Sequence, residues 1–278
     1  GSTVRLTTAA TGIRWSLKGL RKMASYDVFS VYYDRFLGDV DYSLRAAYFD
    51  RLIKRFGGGQ KGLLLDLACG TGSLSVELSR LGYEVIGADA SPAMLALAQN
   101  KAISAGESIL FLCQRMEELD LYGTVRAAVC ALDSLNHLTS LEQFSRAVSR
   151  AALFLEPGGV FVFDLNTPYK HREVLGDNCF VFEEDDTVLV WRNRTSGTLL
   201  TEISLDFFTR QKGGLYLRES EQFAERAYTM DEVKAALEAA KLRLLGAFGD
   251  DSEEPPCDTA QRWVIVAQKA EKPEPGVL

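Results

Sequence analysis

The sequence lacks the patterns that would place it in a membrane, in a metal-binding class or in an oxidising compartment. No run approaches the roughly 20 consecutive apolar residues of a membrane-spanning helix. Histidine occurs only twice, and the cysteines form no CxxC pair: Cys69, Cys113, Cys130, Cys179 and Cys257. We therefore predict a cytoplasmic protein with reduced thiols, no metal site and no membrane association.

Acidic residues are absent before Asp27, although five basic residues precede it. Without those five charges the net charge of −7 becomes −12. A strongly acidic body repels phosphate backbones, which argues against nucleic acid as a partner. Residues 1–22 are interpreted as a basic N-terminal extension left by cloning or start-site choice, because Gly1-Ser2 is typical of a tag scar and Met23 of a natural start; a transit peptide is the alternative.

Hydrophobic periodicity predicts alternating helices and strands and hence an α/β fold with a parallel sheet. The predicted helices cover 42–56, 71–80, 92–102 and 141–155, with a further helix opening at Thr229. The predicted strands cover 62–67, 83–88, 108–113, 127–132, 160–164, 243–248 and 263–268. In the first helix an apolar residue recurs every four positions, at Leu44, Tyr48, Leu52 and Phe56. Pro157-Gly158-Gly159 is predicted to separate the fourth helix from the fifth strand.

Between Cys179 and Phe223 the periodicity changes from helical to alternating, which predicts antiparallel hairpins inserted into the α/β domain. The helical pattern resumes where Thr229 and Glu232 form a capping-box signature. Residues 271–278 are predicted to be a flexible tail.

Two apolar strands end in acids, and the first acid is followed by a glycine loop. The segments are Asp66-Leu-Ala-Cys-Gly-Thr-Gly72 and Val85-Ile-Gly-Ala-Asp89. The third glycine of a dinucleotide-binding loop is missing, and the Asp66 carboxylate would repel a pyrophosphate. Asp66 suits a ligand's ammonium group, and Asp89 suits the hydroxyls of a ribose. S-adenosylmethionine (SAM) carries both groups, so we predict it as the cofactor.

These segments, continued by Ala90-Ser-Pro-Ala-Met94, resemble the first two motifs of class I SAM-dependent methyltransferases. The resemblance implies a doubly wound, mostly parallel seven-stranded sheet with a methyltransferase domain at 23–165 and 225–270, and a β lid at 170–224. It also implies cofactor contacts at these positions: Asp66, Ala68, Gly70, Gly72, Asp89, Ala90, Met94, Arg115, Met116, Leu132 and Asp133. Many relatives have an aspartate where this chain has Arg115.

The loop after the fourth strand, Leu132-Asp-Ser-Leu-Asn136-His137, is similar to a segment of glycine-type and sugar-amine N-methyltransferases. That similarity implies His137 as a catalytic base, and Asn136 and His137 as substrate contacts; a helix-start histidine bonded to backbone is the alternative. His171, beside Lys170 and Arg172, is predicted to be solvated.

Tyr26 and Tyr33 lie in a stretch that resembles a tyrosine-bearing helix covering the cofactor in this group. Both are candidate cofactor contacts, and Tyr33 is also a candidate catalytic residue; aromatic packing is the alternative. Arg226 and Tyr228, where the insertion returns to the core, are candidate substrate contacts.

The predicted function is methyl transfer from SAM, by in-line displacement, to a nitrogen or oxygen of a small molecule, in a monomer or homodimer. A methylase of tRNA or protein and a non-catalytic SAM-binding module are the alternatives. Asp164-Leu-Asn166-Thr-Pro168-Tyr169 resembles the NPPY motif of adenine and amide methylases. It follows the fifth strand instead of the fourth, which argues against that group.

Overall fold

A computed structural model describes residues 40–250 and 252–271 of the chain. Its α-helices are α1 (Tyr42–Phe56), α2 (Ser73–Arg80), α3 (Pro92–Ala105), α4 (Leu141–Phe154) and α5 (Met230–Ala239). Its strands are β1 (Leu63–Leu67), β2 (Glu84–Asp89), β3 (Leu110–Cys113), β4 (Val125–Cys130), β5 (Leu155–Asn166), β6 (Cys179–Glu184), β7 (Thr187–Thr195), β8 (Leu200–Arg210), β9 (Tyr216–Arg226), β10 (Leu242–Gly249) and β11 (Arg262–Lys269).

Seven of these strands form one sheet in the order β10-β11-β5-β4-β1-β2-β3. β11 runs antiparallel to its neighbours β5 and β10, and the other pairs are parallel. The predicted mostly parallel seven-stranded sheet is therefore confirmed. Because β1 lies between β4 and β2, the loops that follow these three strands meet at one edge of the sheet.

Helix starts are fixed by side chains that accept hydrogen bonds from otherwise unpaired backbone amides. Ser91 Oγ accepts from Met94 N at 3.2 Å, with Pro92 in the first turn of α3. Thr229 and Glu232 complete the predicted capping box at the start of α5. These local signals specify where the helices begin independently of the rest of the fold.

Both faces of the large sheet are buried under helices. Leu65 and Leu67 of β1 belong to an apolar cluster that includes side chains of α4 and α5. Leu64 belongs to a second cluster that includes side chains of α1 and α2. This alternation along one strand fixes its register, because a slip by one residue would exchange the two faces.

A four-stranded antiparallel sheet, β6-β7-β8-β9, is inserted between β5 and α5. We call it the inserted sheet. It has an apolar cluster of its own, made by Leu189, Ile203, Leu205 and Phe207. Among the helices of the described residues, none is long and apolar enough to cross a membrane.

Two local predictions differ from the structure. Leu44 is exposed, although Tyr48 and Leu52 of the same predicted face are buried. A four-residue spacing advances about 40° per step beyond a full helical turn, so its first member rotates off the face. The strand β5 already begins at Leu155, so Pro157-Gly158-Gly159 lies inside it and does not separate it from the helix before it. A register shift between β4 and β5, opposite Val125 and Ala127, marks a bulge there.

Candidate active site

The loop after β1 exposes backbone towards open space at the edge of the sheet. Gly70 has φ +54°, and a Cβ built on it would meet no described atom within 4 Å. Gly72 has φ +73°, and its Cβ would lie 2.8 Å from Ala98 Cβ. Gly70 therefore leaves room for a ligand, whereas Gly72 allows α2 and α3 to approach each other closely.

Asp89 joins this loop to the loop after β2. Its Oδ2 accepts from Gly70 N at 2.9 Å, and its Oδ1 accepts from Ser91 N at 2.8 Å. Burial raises the pKa of Asp89, and the backbone amides of Ser91 and Gly70 act against that rise. A carboxylate has about four acceptor positions, so the bonds from the Ser91, Gly70 and Ala90 amides leave it able to accept from a ribose hydroxyl.

Asp66 is a buried carboxyl at the end of β1, and it accepts from Ser75 Oγ at 2.5 Å. Burial raises its pKa to about 7; the charge of Asp89 adds to this rise and the Ser75 hydroxyl opposes it. A buried acid beside a second acid is stabilised when a cation arrives. The site thus suits an ammonium group.

A small cleft opens between the carboxyl ends of β1 and β4 and the loops that follow them. Its lining includes Asp66 at the end of β1, Ala68 and Cys69 from the loop after β1, and Leu132 and Ser134 from the loop after β4. Three of the predicted cofactor positions on these two strand ends, Asp66, Ala68 and Leu132, therefore line one space.

The loop after β4 has a strained backbone that a buried acid holds in place. Leu132 and Asp133 both have φ 55°. Asp164 accepts from the amides of these two residues at 2.9 and 2.6 Å. Positive φ is unfavourable for both residue types, so these bonds stabilise the turn that presents Ser134–His137.

Two arginines surround Asp164. Arg262 Nη1 lies 2.7 Å from Asp164 Oδ1, and Arg262 Nη2 lies 2.9 Å from Asp133 Oδ1. Arg45 Nη1 lies 3.3 Å from Asp164 Oδ2. Burial alone would raise the pKa of Asp133, but Arg262, with Lys170, lowers it to about 2. The loop is thus built on a compensated cluster of buried charges.

Sequence reasoning missed the roles of Asp164 and Arg262. A usable signal existed for Asp164, because an acid lies at or next to the end of the predicted strand 160–164, as it does in the predicted strands 62–67 and 83–88. The resemblance to the NPPY motif obscures that signal. Arg262 begins the antiparallel strand β11, and its proximity to β4 and β5 follows only from the strand order.

His137 lies on the loop after β4 and faces the inserted sheet. Its ring centroid is 5.3 Å from that of Phe223, and its Nε2 is 3.8 Å from Glu225 Oε1. Burial lowers the pKa of His137, and Asp133 acts in the opposite direction. A neutral imidazole can accept a proton, so the position suits the predicted base.

Asn136 and Tyr228 were predicted to contact substrate, but the structure gives them structural positions. Asn136 is fully buried and bonds Asn166 N and the Arg226 carbonyl, both at 2.9 Å. Tyr228 is fully buried against Phe144, and its hydroxyl donates to the Leu138 carbonyl. Neither side chain is available to a ligand, because tertiary packing placed them inside the core.

The remaining predicted positions in the described part of the chain are not among the residues that line the cleft. Arg226 pairs with Glu232 at 2.6 Å. Arg115 pairs with Glu117, also at 2.6 Å. Ala90 is exposed and Met94 buried, on either side of the α3 N-terminus, and Met116 packs partly buried against the core. Tyr26 and Tyr33 lie outside the described residues.

His171 was predicted to be solvated, and this was wrong. The imidazole is fully buried in the π-helical turn Lys170–Leu175, with Nδ1 2.8 Å from Thr201 Oγ1. Burial lowers its pKa from 6.5 to about 4. The flanking Lys170 and Arg172 suggested solvent, but the turn directs the residue between them inward against the inserted sheet.

This buried histidine predicts a pH dependence of stability. Its folded pKa is below its unfolded pKa, so the unfolded chain binds more protons between pH 6.5 and 4. Its contribution is complete above pH 6.5 and declines by about 3 kcal/mol as the pH falls to 4. Urea unfolding at several pH values should show a shallower acid decline in His171→Gln than in the native chain. Equal declines would contradict the assignment.

Comparisons with known proteins identify the class to which this fold and site belong. A family model described as "Methyltransferase domain" matches residues 64–159. A methyltransferase homologue of Geobacillus sp. (strain WCH70) is 30% identical over 246 residues, covering 88% of this chain and all of the relative. The chain belongs to this methyltransferase family and is a class I SAM-dependent methyltransferase, an enzyme.

Solved structures agree. The S-adenosylmethionine-dependent methyltransferase from Clostridium acetobutylicum ATCC 824 aligns with a TM-score of 0.80 and 28% identity, covering 88% of this chain and 99% of that one. SAM-bound CalS10, an amino pentose methyltransferase from Micromonospora echinaspora, shares the fold with a TM-score of 0.70 and 23% identity, covering 90% and 100%. The cofactor is SAM, which fits the buried Asp66 carboxyl and the open space beside Gly70.

Proposed function

We propose that this enzyme transfers a methyl group to a nitrogen or oxygen of a small molecule bound between the large sheet and the inserted sheet. The observation that carries the proposal is the contact between the loop after β4 and β9. There, His137 lies against Phe223 and Glu225, so the inserted sheet encloses the place where an acceptor would meet its base. Enclosure excludes water and fixes the approach of the acceptor.

The cofactor supplies a methyl group on a sulfonium sulfur. We assign Asp66 to its ammonium, Asp89 to its ribose, and Ala90 and Met94 to the neighbourhood of its adenine. Leu132 and Asp133 form the turn after β4, which lies across the cleft from the loop after β1. Tyr26 and Tyr33 remain candidates on the basis of sequence resemblance alone.

A small acceptor suits the chain better than a macromolecule. The net charge of −7 opposes the approach of a phosphate backbone. One structural neighbour is described as an amino pentose methyltransferase, and an amino pentose is a small molecule.

Calorimetry with S-adenosylhomocysteine (SAH), followed by detection of SAH released in acceptor screens, tests the proposal. The acceptor screen tests small amines, small hydroxyl compounds, tRNA and protein in separate arms. We expect micromolar-range SAH binding and turnover with a member of the small-molecule arms. Absence of SAH binding, or methylation confined to tRNA or protein, would refute the proposal.

The raised pKa of Asp66 predicts how cofactor affinity changes with pH. The ammonium group of SAH binds the deprotonated form of Asp66. Below pH 7 the Asp66 carboxyl of the free enzyme is protonated, so SAH binding must release that proton. SAH affinity is therefore expected to be constant above pH 7 and to fall below it, approaching tenfold per pH unit. Calorimetry should also show Asp66→Asn binding more weakly at pH 8, with this pH dependence lost. A wild-type affinity independent of pH between 5.5 and 8 would contradict the assignment.

A further inference from the structure

The inserted sheet places a buried acid beside the candidate base. Glu225, on the last strand of that sheet, is 5% exposed. Its Oε1 lies 3.8 Å from His137 Nε2, and its Oε2 lies 3.5 Å from Asn166 Nδ2. His137 thus comes from the loop after β4 and Glu225 from the inserted sheet, and the two groups meet only in the folded chain.

The charged groups around the pair come from the elements packed against it. Burial and the charge of Asp133 raise the pKa of Glu225 to about 8, while Lys170, the Asn166 amide and Arg262 act against the rise. Lys170 is held near by a 2.9 Å bond to Asn166 Oδ1. Burial lowers the pKa of His137, and Asp133 opposes that change.

These directions give the pair a single shared proton near neutral pH. The proton resides on Glu225 Oε1 or on His137 Nε2, and moving it between them leaves the charge of the pair unchanged. Because the groups are 3.8 Å apart, they titrate as one unit with two macroscopic steps. When the proton is lost at alkaline pH, His137 is left beside a carboxylate, which strengthens it as a base.

We propose that Glu225 is a positioning residue of the inserted sheet that sets the protonation of His137. The strength of His137 as a base therefore depends on how the inserted sheet packs against the loop after β4. The catalytic meaning of this pair rests on the function proposed above. In the reaction, the pair first releases its shared proton to solvent, and His137 then takes the proton that the acceptor nitrogen or oxygen loses. The resulting imidazolium is stabilised by the Glu225 carboxylate, which itself gains no proton.

Nuclear magnetic resonance can observe the pair directly, because the chain has only two histidines. The ¹³Cε1–H signals are followed against pH in the SAH-bound enzyme and in Glu225→Gln. We expect the His137 signal of the native enzyme to show an alkaline step near pH 8 in addition to its acid step. In Glu225→Gln the alkaline step is expected to disappear, whereas the acid step should stay nearly in place, because Glu225 is already protonated and uncharged at that pH.

Two internal comparisons separate this role from a general effect of mutation. Glu221→Gln removes an equally buried carboxylate four residues away on the same face of β9, and it should leave both His137 steps in place. The signal of His171, which bonds Thr201, should titrate alike in all variants.

An alkaline step that persists in Glu225→Gln, or that is absent from the native enzyme, would overturn the proposal. If Glu225→Gln fails to fold, Glu225→Asp takes its place. Its retracted carboxylate should weaken the alkaline step, and an unchanged step would overturn the proposal. The titrations are repeated without SAH, so a failure of SAH binding refutes the proposed function while the pair is still tested.

Discussion

Replacing Asp164 by alanine is expected to lower the free energy of unfolding by about 3–5 kcal/mol. The substitution leaves the amides of Leu132 and Asp133 without their acceptor and removes the more deeply buried of the two carboxylates, Asp164 and Asp250, that Arg45 and Arg262 share. Uncompensated buried charge is costlier than the loss of the bonds themselves. For a chain of this length the midpoint of thermal unfolding should fall by about 10 °C, measurable by calorimetry.

Asp120→Ala is the matched control for this stability effect. Asp120 also pairs with an arginine, Arg150, at 3.3 Å, but its side chain is 79% exposed. An exposed pair contributes at most about 1 kcal/mol, so this variant should melt within a few degrees of the native enzyme. Similar melting temperatures for Asp164→Ala and Asp120→Ala would show that the buried charge cluster does not stabilise the fold.

Replacing Asp89 by alanine is expected to weaken SAH binding by about 100-fold, corresponding to about 3 kcal/mol. Two effects combine. The ribose loses its charged acceptor, and the Gly70 and Ser91 amides lose the carboxylate that holds the two loops together. Isothermal titration calorimetry on the folded variant measures the change.

Glu84→Ala serves as the comparison, since it removes an exposed carboxylate from the other end of the same strand. Its SAH affinity should equal that of the native enzyme. If Asp89→Ala also binds SAH normally, the ribose does not lie on Asp89 and the cofactor orientation proposed here is wrong.

The element types and the cofactor were accessible from the sequence because their signals are local. The periodicity of β1 and β2, the caps at Ser91 and Thr229 and the alternating residues of the insertion each operate within a few positions. The glycine loop and its two acids likewise lie within 25 residues. Even here, a four-residue spacing misplaced Leu44, and proline with glycine suggested a turn where β5 contains a bulge.

Side-chain environments were harder to predict, because burial depends on contacts distant in sequence. His171 looked solvated beside two basic residues, yet it packs against Thr201 from another strand. Asn136 and Tyr228 looked like substrate contacts, yet each is fixed by backbone groups of remote segments. Local composition carries no information about which strand arrives next to a given residue.

The sequence alone determined that this chain binds SAM at one edge of its sheet. A strand, a glycine loop and two strand-end acids follow one another along the chain, and the two acids together favour a ligand with an ammonium group and a ribose. The tertiary structure decided what surrounds that edge. Arg262, Asp164 and Glu225 reach the loop after β4 from strands 30 to 130 residues away, because the strand order and the inserted sheet bring them there. Charges compensate or perturb one another through space, so only the folded chain establishes the protonation of His137.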